Sequence, residues 1–234
     1  MFGESFAGMQ DYFRYPERRI GWGGPFNDQQ YRQALFQALI DRIKPVAIVE
    51  TGTFHGTTTA FMAGTGIPLY TIEKDVRRHG FARARFLCRS HVSVYRGDSR
   101  KTLRALINGS LYKCRDKAIF VYLDAHWSDD LPLAEELEIV FANCPAAVVM
   151  IDDFQVPCDA GYGYDNYGPH KALNSDYIAP VVAAHSLAAF YPSAPASLES
   201  GRRRGCIVLA RRDVHGEVLA SIPLLRSENS SASF

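Results

Sequence analysis

An acid closes each of five successive apolar stretches, and this pattern limits the fold more than any other feature of the chain. Val46-Ala47-Ile48-Val49 runs into Glu50, Leu69-Tyr70-Thr71-Ile72 into Glu73, and Val92-Ser93-Val94-Tyr95 into Gly97-Asp98-Ser99. Ala118 to Leu123 runs into Asp124, and Ala146 to Ile151 into Asp152-Asp153. Each stretch is too short for a helix and continuously apolar, as in a strand covered on both faces. Between them lie helical segments: Thr57 to Ala63, a basic run through about Arg89, a turn holding Leu103, Leu106 and Ile107, and residues 131–142. Strands alternating with helices predict an open parallel α/β sheet. Ligands of such sheets bind beyond the carboxyl ends of the strands. All five acids fall there, which points to a ligand crevice rather than to the general preference of acids for loops.

The flanks are read less directly. Residues 1–26 predict an irregular N-terminal extension with one short helix. Asn27 is placed as the N-cap of a helix through about Ile43, which presents Tyr31, Leu35, Leu39 and Ile43 on one face and stops before Pro45. The main domain is set at 27–225. Within it the Gly-, Tyr- and Asp-rich loop 154–175 is long enough to be a functional lid. A helix near 176–185 follows, and Ser186 to Tyr191 pairs with Gly205 to Ala210 as a hairpin. Residues 226–234 read as a flexible tail.

Composition narrows the partners. A formal net charge of +1 gives no reason to expect nucleic acid or an anionic membrane. Five scattered cysteines without CxxC spacing predict reduced thiols rather than a disulfide frame or a zinc site. With no apolar run near the roughly 20 residues of a membrane span and no signal-like start, the expected location is cytoplasmic. A homo-oligomer is left open.

A strand, a glycine turn and a helix make a generic nucleotide seat, because glycines admit close backbone approach and the helix start offers free N–H groups. Spacing decides which ligand fits. Gly52 and Gly56 are separated by three residues, so there is no G-x-G-x-x-G for a dinucleotide, and no Lys follows for a P-loop. The string Glu50-x-Gly52-x-x-x-Gly56-x-Thr58 resembles motif I of the class I S-adenosylmethionine-dependent methyltransferases. Alone, it is equally a tight strand-to-helix turn. Glu73 and Gly97-Asp98-Ser99 fall in register with it on the next two strand ends. The resemblance implies a Rossmann-like, doubly wound, mostly parallel seven-stranded sheet ending in an antiparallel hairpin. It also implies S-adenosylmethionine held by Glu50, Gly52, Thr53, Gly56 and Thr57, with Glu73 on the ribose hydroxyls and Asp98 and Ser99 at the adenine edge.

Asp124 and the pair Asp152-Asp153 end neighbouring strands, so three carboxylates converge. Raised pKa values or a bound cation must relieve their repulsion, and an oxygen-only set favours Mg²⁺ or another hard divalent ion. The segments Tyr122-Leu123-Asp124-Ala125-His126-Trp127 and Met150-Ile151-Asp152-Asp153-Phe154 resemble those of metal-dependent small-molecule and sugar O-methyltransferases related to macrocin O-methyltransferase. In that group these acids bind the metal, which implies Asp124, Asp152 and Asp153 as ligands here. Asp124 is the first candidate for the base that deprotonates a hydroxyl acceptor. His126 is the second, its ordinary pKa suiting proton transfer near neutrality, with a structural histidine beside Trp127 as the alternative. Gly161 to Gly168, with its three tyrosines, offers faces for a sugar or glycoside acceptor, or is a packed surface loop. His170, Lys171 and Arg202-Arg203-Arg204 are either near the site or solvated. Metal-independent N- or C-methylation and a non-catalytic cofactor-binding scaffold subunit are the competing readings.

Overall fold

The structure is a computed structural model and describes residues 2–126 and 130–227. Its strands are β1 Ile48–Thr51, β2 Leu69–Glu73, β3 Val92–Arg96, β4 Ile119–Leu123, β5 Ala147–Asp152, β6 Leu187–Pro192, β7 Cys206–Arg211 and β8 Leu225–Ser227. They form one sheet in the order β3-β2-β1-β4-β5-β7-β6-β8. The first five are parallel, and β7, β6 and β8 join antiparallel. The expected hairpin is therefore β6–β7, and the short β8 adds an edge strand to the seven expected.

Eight α-helices accompany the described strands: α1 Phe2–Arg14, α2 Gln30–Ile43, α3 Thr57–Met62, α4 Val76–Arg85, α5 Ser99–Asn108, α6 Leu133–Asn143, α7 Ser175–Ala184 and α8 Arg212–Ala220. Alternation along each buried strand sends its side chains to opposite layers. Val49, Val121, Val149 and Leu209 pack with Leu103, Leu106, Leu137 and Ile178 on one face. Ile48, Phe120, Val148 and Val208 pack with Leu35, Leu39 and Leu219 on the other. No described helix is long and apolar enough to cross a membrane.

The chain leaves β1 toward β2 and β3 and then returns across β1 to β4, so the order reverses between β1 and β4. At this switch the backbones nearly touch. The Asp124 amide donates to Thr51 O at 3.0 Å, and a Cβ on Gly52 would lie 2.1 Å from Asp124 O. Gly52, at φ +88°, admits no side chain there.

Three expectations at the flanks change. Residues 2–14 are a continuous helix lying on α4, a crossing made close by two glycines: a Cβ on Gly8 would meet Arg77 O at 1.9 Å and one on Gly80 would meet Ser5 O at 2.0 Å. Asn27 does not cap α2. It sits at φ +60° outside the helix, and the Glu199 carboxylate instead accepts from the amides of Tyr31 (3.0 Å) and Arg32 (3.2 Å). Arg226 and Ser227 lie in β8 rather than in a tail, while 228–234, like Trp127, fall outside the described residues.

Candidate functional site

A cavity of about 470 Å³ opens beyond the ends of β1, β2 and β3, lined by Gly52, Phe54, Glu73, Gly97, Asp98 and Ser99 among others. Glu73 ends β2 and is only 7% exposed. The amides of Phe54 (2.7 Å) and Asp75 (2.8 Å) donate to its two oxygens, so it pins the glycine loop while facing the cavity. Burial raises its pKa, and these hydrogen bonds oppose the rise. Asp98 caps α5, accepting from the amides of Arg100 (3.1 Å) and Lys101 (3.3 Å). The Arg100 guanidinium at 2.8 Å is the chief reason its pKa falls to about 2. Asp98 therefore faces the cavity as a fixed anion.

The other expected cofactor residues are arranged differently. Glu50, 1% exposed, accepts from Thr59 Oγ1 (2.5 Å) and Thr71 Oγ1 (2.6 Å), and burial pushes its pKa up to about 7. Thr53 shares a 2.5 Å hydroxyl contact with Thr71. Thr57 Oγ1 accepts from the Gly21 amide at 2.9 Å and donates to Arg19 O at 3.2 Å, which ties the start of α3 to the N-terminal segment. Gly56 lines neither cavity. It makes the turn at φ +72°, where a Cβ would press 2.7 Å from the Phe86 ring.

Glu50, Thr53 and Thr57 face a second cavity of about 340 Å³, which shares Gly52 and Phe54 with the first. Asp124, His126, Asp152, Asp153, Asp165 and Arg204 line its charged side. One ligand atom each from Asp124, His126 and Asp153 lie within 4.8 Å of one another. This differs from the expected set, because Asp152 turns away. It pairs with the buried Arg32 guanidinium and accepts from Tyr122 Oη at 2.7 Å and Asn27 Nδ2 at 3.3 Å. His126 takes its place in the cluster.

His126 is 2% exposed, with no hydrogen-bond partner on either ring nitrogen. Burial drives its pKa down to about 4, not to the near-neutral value expected of a proton shuttle. Asp124 is held well above the ordinary carboxylate range by burial and then by Asp152 and Asp153. Asp153, at φ +52°, is pushed up to about 7 by burial and Asp152, against the pull of Arg204. Arg204 Nε donates to Asp153 at 2.5 Å, and its Nη2 pairs with Asp165. An unpartnered imidazole between two crowded carboxyl groups is a donor set that fits a divalent cation.

Two wall residues have no signal in the sequence, Trp22 and Asn27. They line the second cavity together with Arg204 and with Asp165 and Tyr167 of the lid. Within the lid, Tyr162 is buried in the core, while Tyr167 Oη donates to His126 O at 3.0 Å. His170 and Arg203 are exposed and line neither cavity.

No family model and no curated protein matches the chain. Solved structures do. An O-methyltransferase from Bacillus cereus in complex with SAH aligns over 87% of this chain and 90% of its own, at 16% identity and a TM-score of 0.58. The chain has the fold of the S-adenosylmethionine-dependent methyltransferases. SAM-bound CalS10, an amino pentose methyltransferase from Micromonospora echinaspora, shares this methyltransferase fold at 14% identity and a TM-score of 0.53, over 85% of this chain and 96% of its own. The glycopeptide N-methyltransferase MtfA, complexed with sinefungin, shares it at 12% identity and a TM-score of 0.52, over 76% and 86%.

Proposed function

We propose that the chain is an S-adenosylmethionine-dependent O-methyltransferase acting on a hydroxyl of a small molecule, sugar-like in its hydroxylation. The observation that carries this reading is the meeting of two cavities at Gly52 and Phe54, one edged by Glu73, Asp98 and Ser99 and the other by Asp124, His126 and Asp153. The adenosine half of the cofactor lies in the larger cavity, with Glu73 accepting from the ribose hydroxyls and Asp98 and Ser99 at the adenine edge. Glu50 and Thr53, across Gly52, would hold its methionine half, and the junction is where a transferable methyl would be presented. The SAH-bound and SAM-bound neighbours support the choice of cofactor.

Methyl transfer is an in-line displacement. The acceptor oxygen bonds to the methyl carbon as the carbon–sulfur bond breaks, the sulfonium leaves as a neutral thioether, and the hydroxyl proton passes to a base. Asp124 is that base, since its backbone lies against Gly52 at the junction. Most of the rate comes from holding oxygen, carbon and sulfur in line, which falls to the walls built by Trp22, Phe54 and Tyr167.

Asp124, His126 and Asp153 are the residues that would hold a divalent cation. When bound, it supplies Lewis acidity and a template for two acceptor oxygens. An imidazole in the set moves the preference from Mg²⁺ toward a first-row transition metal, for which Mn²⁺ serves as the probe. Arg204 fixes the Asp153 carboxylate, and Arg32 keeps Asp152 out of the cluster.

The test is methylation of a panel of polyhydroxylated acceptors, with and without EDTA and added Mn²⁺. Asp124→Asn is expected to lower turnover by about 10²–10⁴-fold, the span of a lost general base. Turnover that survives Asp124→Asn removes Asp124 from the chemistry. EDTA-insensitive methylation of amines but not hydroxyls favours the N-methyltransferase reading, for which the acid-lined cavity and the likeness to MtfA speak.

A further inference from the structure

Among the described residues, the acceptor cavity carries one cation, Arg202, that no acid engages. Its floor is anionic, but each floor acid on the Asp152 side has a resident partner: Arg32 for Asp152, and Arg204 for both Asp153 and Asp165. Arg202, two residues before Arg204, also lines the cavity. Its guanidinium lies over the indole of Trp22, 4.2 Å from the ring centroid. No salt bridge among the described residues engages it.

This position is built. Arg202 N–H donates to Asn27 O at 3.1 Å. Gly201, at φ +61°, brings the backbones so close that a Cβ would sit 2.1 Å from the same oxygen. Ser200 Oγ donates to Asp28 O at 2.7 Å. Trp22 is held at φ +54° in a segment where Phe26, Asn27 and Asp28 also have positive φ. Such conformations cost energy in residues other than glycine and persist only where surrounding contacts impose them. Here Thr57 Oγ1 accepts from Gly21 N at 2.9 Å and Thr58 Oγ1 from Phe26 N at 3.1 Å. The strained segment thus delivers an indole to the cavity rim, and the Arg202 guanidinium sits over its face with no side-chain hydrogen bond from the described residues. A guanidinium oriented by an aromatic face is suited to a planar or tetrahedral oxyanion, which it can grip with two N–H groups.

We propose that Arg202, seated on Trp22, binds an oxyanion carried by the acceptor, so that the acceptor is a hydroxylated carboxylic acid or phosphate ester. Its hydroxyl lies on the acidic floor by Asp124 and its anionic group at the cationic rim. This rests on the methyltransferase reading, which assigns the cavity to the acceptor.

The probes are glucuronate and glucose 6-phosphate against glucose and the methyl ester of glucuronate, a set that differs in one group while keeping ring hydroxyls. Each is titrated by calorimetry into the SAH-loaded protein in the presence of Mn²⁺, after SAH affinity has been measured by itself. The wild type is expected to bind at least one of the two anions at least tenfold more tightly than its neutral counterparts. The preferred anion tells carboxylate from phosphate. In Arg202→Gln the ratio is expected to fall to near one with SAH affinity unchanged, and Arg202→Lys is expected to restore part of it. Equal affinities across the set, including no measurable binding of any member, overturn the proposal, as does a preference that survives Arg202→Gln. Failure of SAH itself to bind overturns the methyltransferase reading instead, so the two failures are distinct.

Discussion

The cavity proposed for the cofactor takes most of its lining from residues 52–99, whereas the one proposed for the acceptor draws on six separated segments: 21–27, 50–58, 124–126, 152–153, 165–167 and 202–204. The first is a property of consecutive strand ends. The ends of β2 and β3 each deliver a polar group, Glu73 and Asp98, and Gly52 after β1 leaves room beside Asp124 O. The second is held together by long-range charge. Arg32 from α2 reaches Asp152 and the backbone oxygen of Arg204, and the Arg204 side chain then reaches Asp153 and Asp165. A seat made of strand ends is general to the fold, while a pocket tied by particular ion pairs belongs to this chain. Cofactor binding and acceptor choice should therefore respond to different substitutions.

The largest expected effect on stability comes from cutting the tie. Arg32 is fully buried against Asp152, with side-chain exposures of 1% and 3%. Removing one partner of such a pair leaves an uncompensated charge and costs about 3–5 kcal/mol. Arg32→Met is expected to lower unfolding free energy by that amount in urea titration, and Asp152→Asn added to it should recover much of the loss. A cost below about 1 kcal/mol, the scale of an exposed pair, would break the comparison, because the acceptor half would then not depend on this pair.

A smaller effect belongs to the cofactor side. Glu136 in α6 is fully buried, and burial pushes its pKa from 4.5 up to about 7 against the opposing pull of hydrogen bonds from Ser99 and Thr51. An acid whose pKa is higher in the folded chain favours folding while protonated. That contribution is complete below about 4.5 and is lost as pH rises through 7. At 1.36 kcal/mol per unit, the wild type should lose up to about 3 kcal/mol across this window. Glu136→Gln, which stays neutral, is expected to match the wild type at pH 4.5 and exceed it at pH 8. Parallel stability–pH curves for the two proteins would show that Glu136 is not the buried acid described here.

The same contrast explains what was legible in the sequence. Glu73 and Asp98-Ser99 could be read because short buried strands announce their own ends, and the hairpin β6–β7 because alternation stopped after Asp153. Asp124 and Asp153 could be placed at their strand ends for the same reason. Asp152 was misplaced because its partner, Arg32, lies 120 residues away on a helix whose exposed and buried faces look alike in charge. His126 was marked for proton transfer because its burial, which lowers its pKa and leaves its ring nitrogens unpartnered, depends on packing no local pattern records. The wall formed by Trp22 and Asn27 was hidden for another reason. Its backbone adopts left-handed φ values at bulky residues, which propensity argues against and only the contacts to Thr57, Thr58 and Asp152 impose.

The division of labour between the two cavities is tested most directly by calorimetric titration of SAH into the wild type, Glu73→Ala and Asp124→Asn, each first shown to be folded. The wild type is expected to bind. Glu73→Ala should weaken binding at least about tenfold, the scale of one lost hydrogen bond to a charged group, while Asp124→Asn should stay within about twofold. Absence of binding by the folded wild type, or a loss confined to Asp124→Asn, would contradict the account.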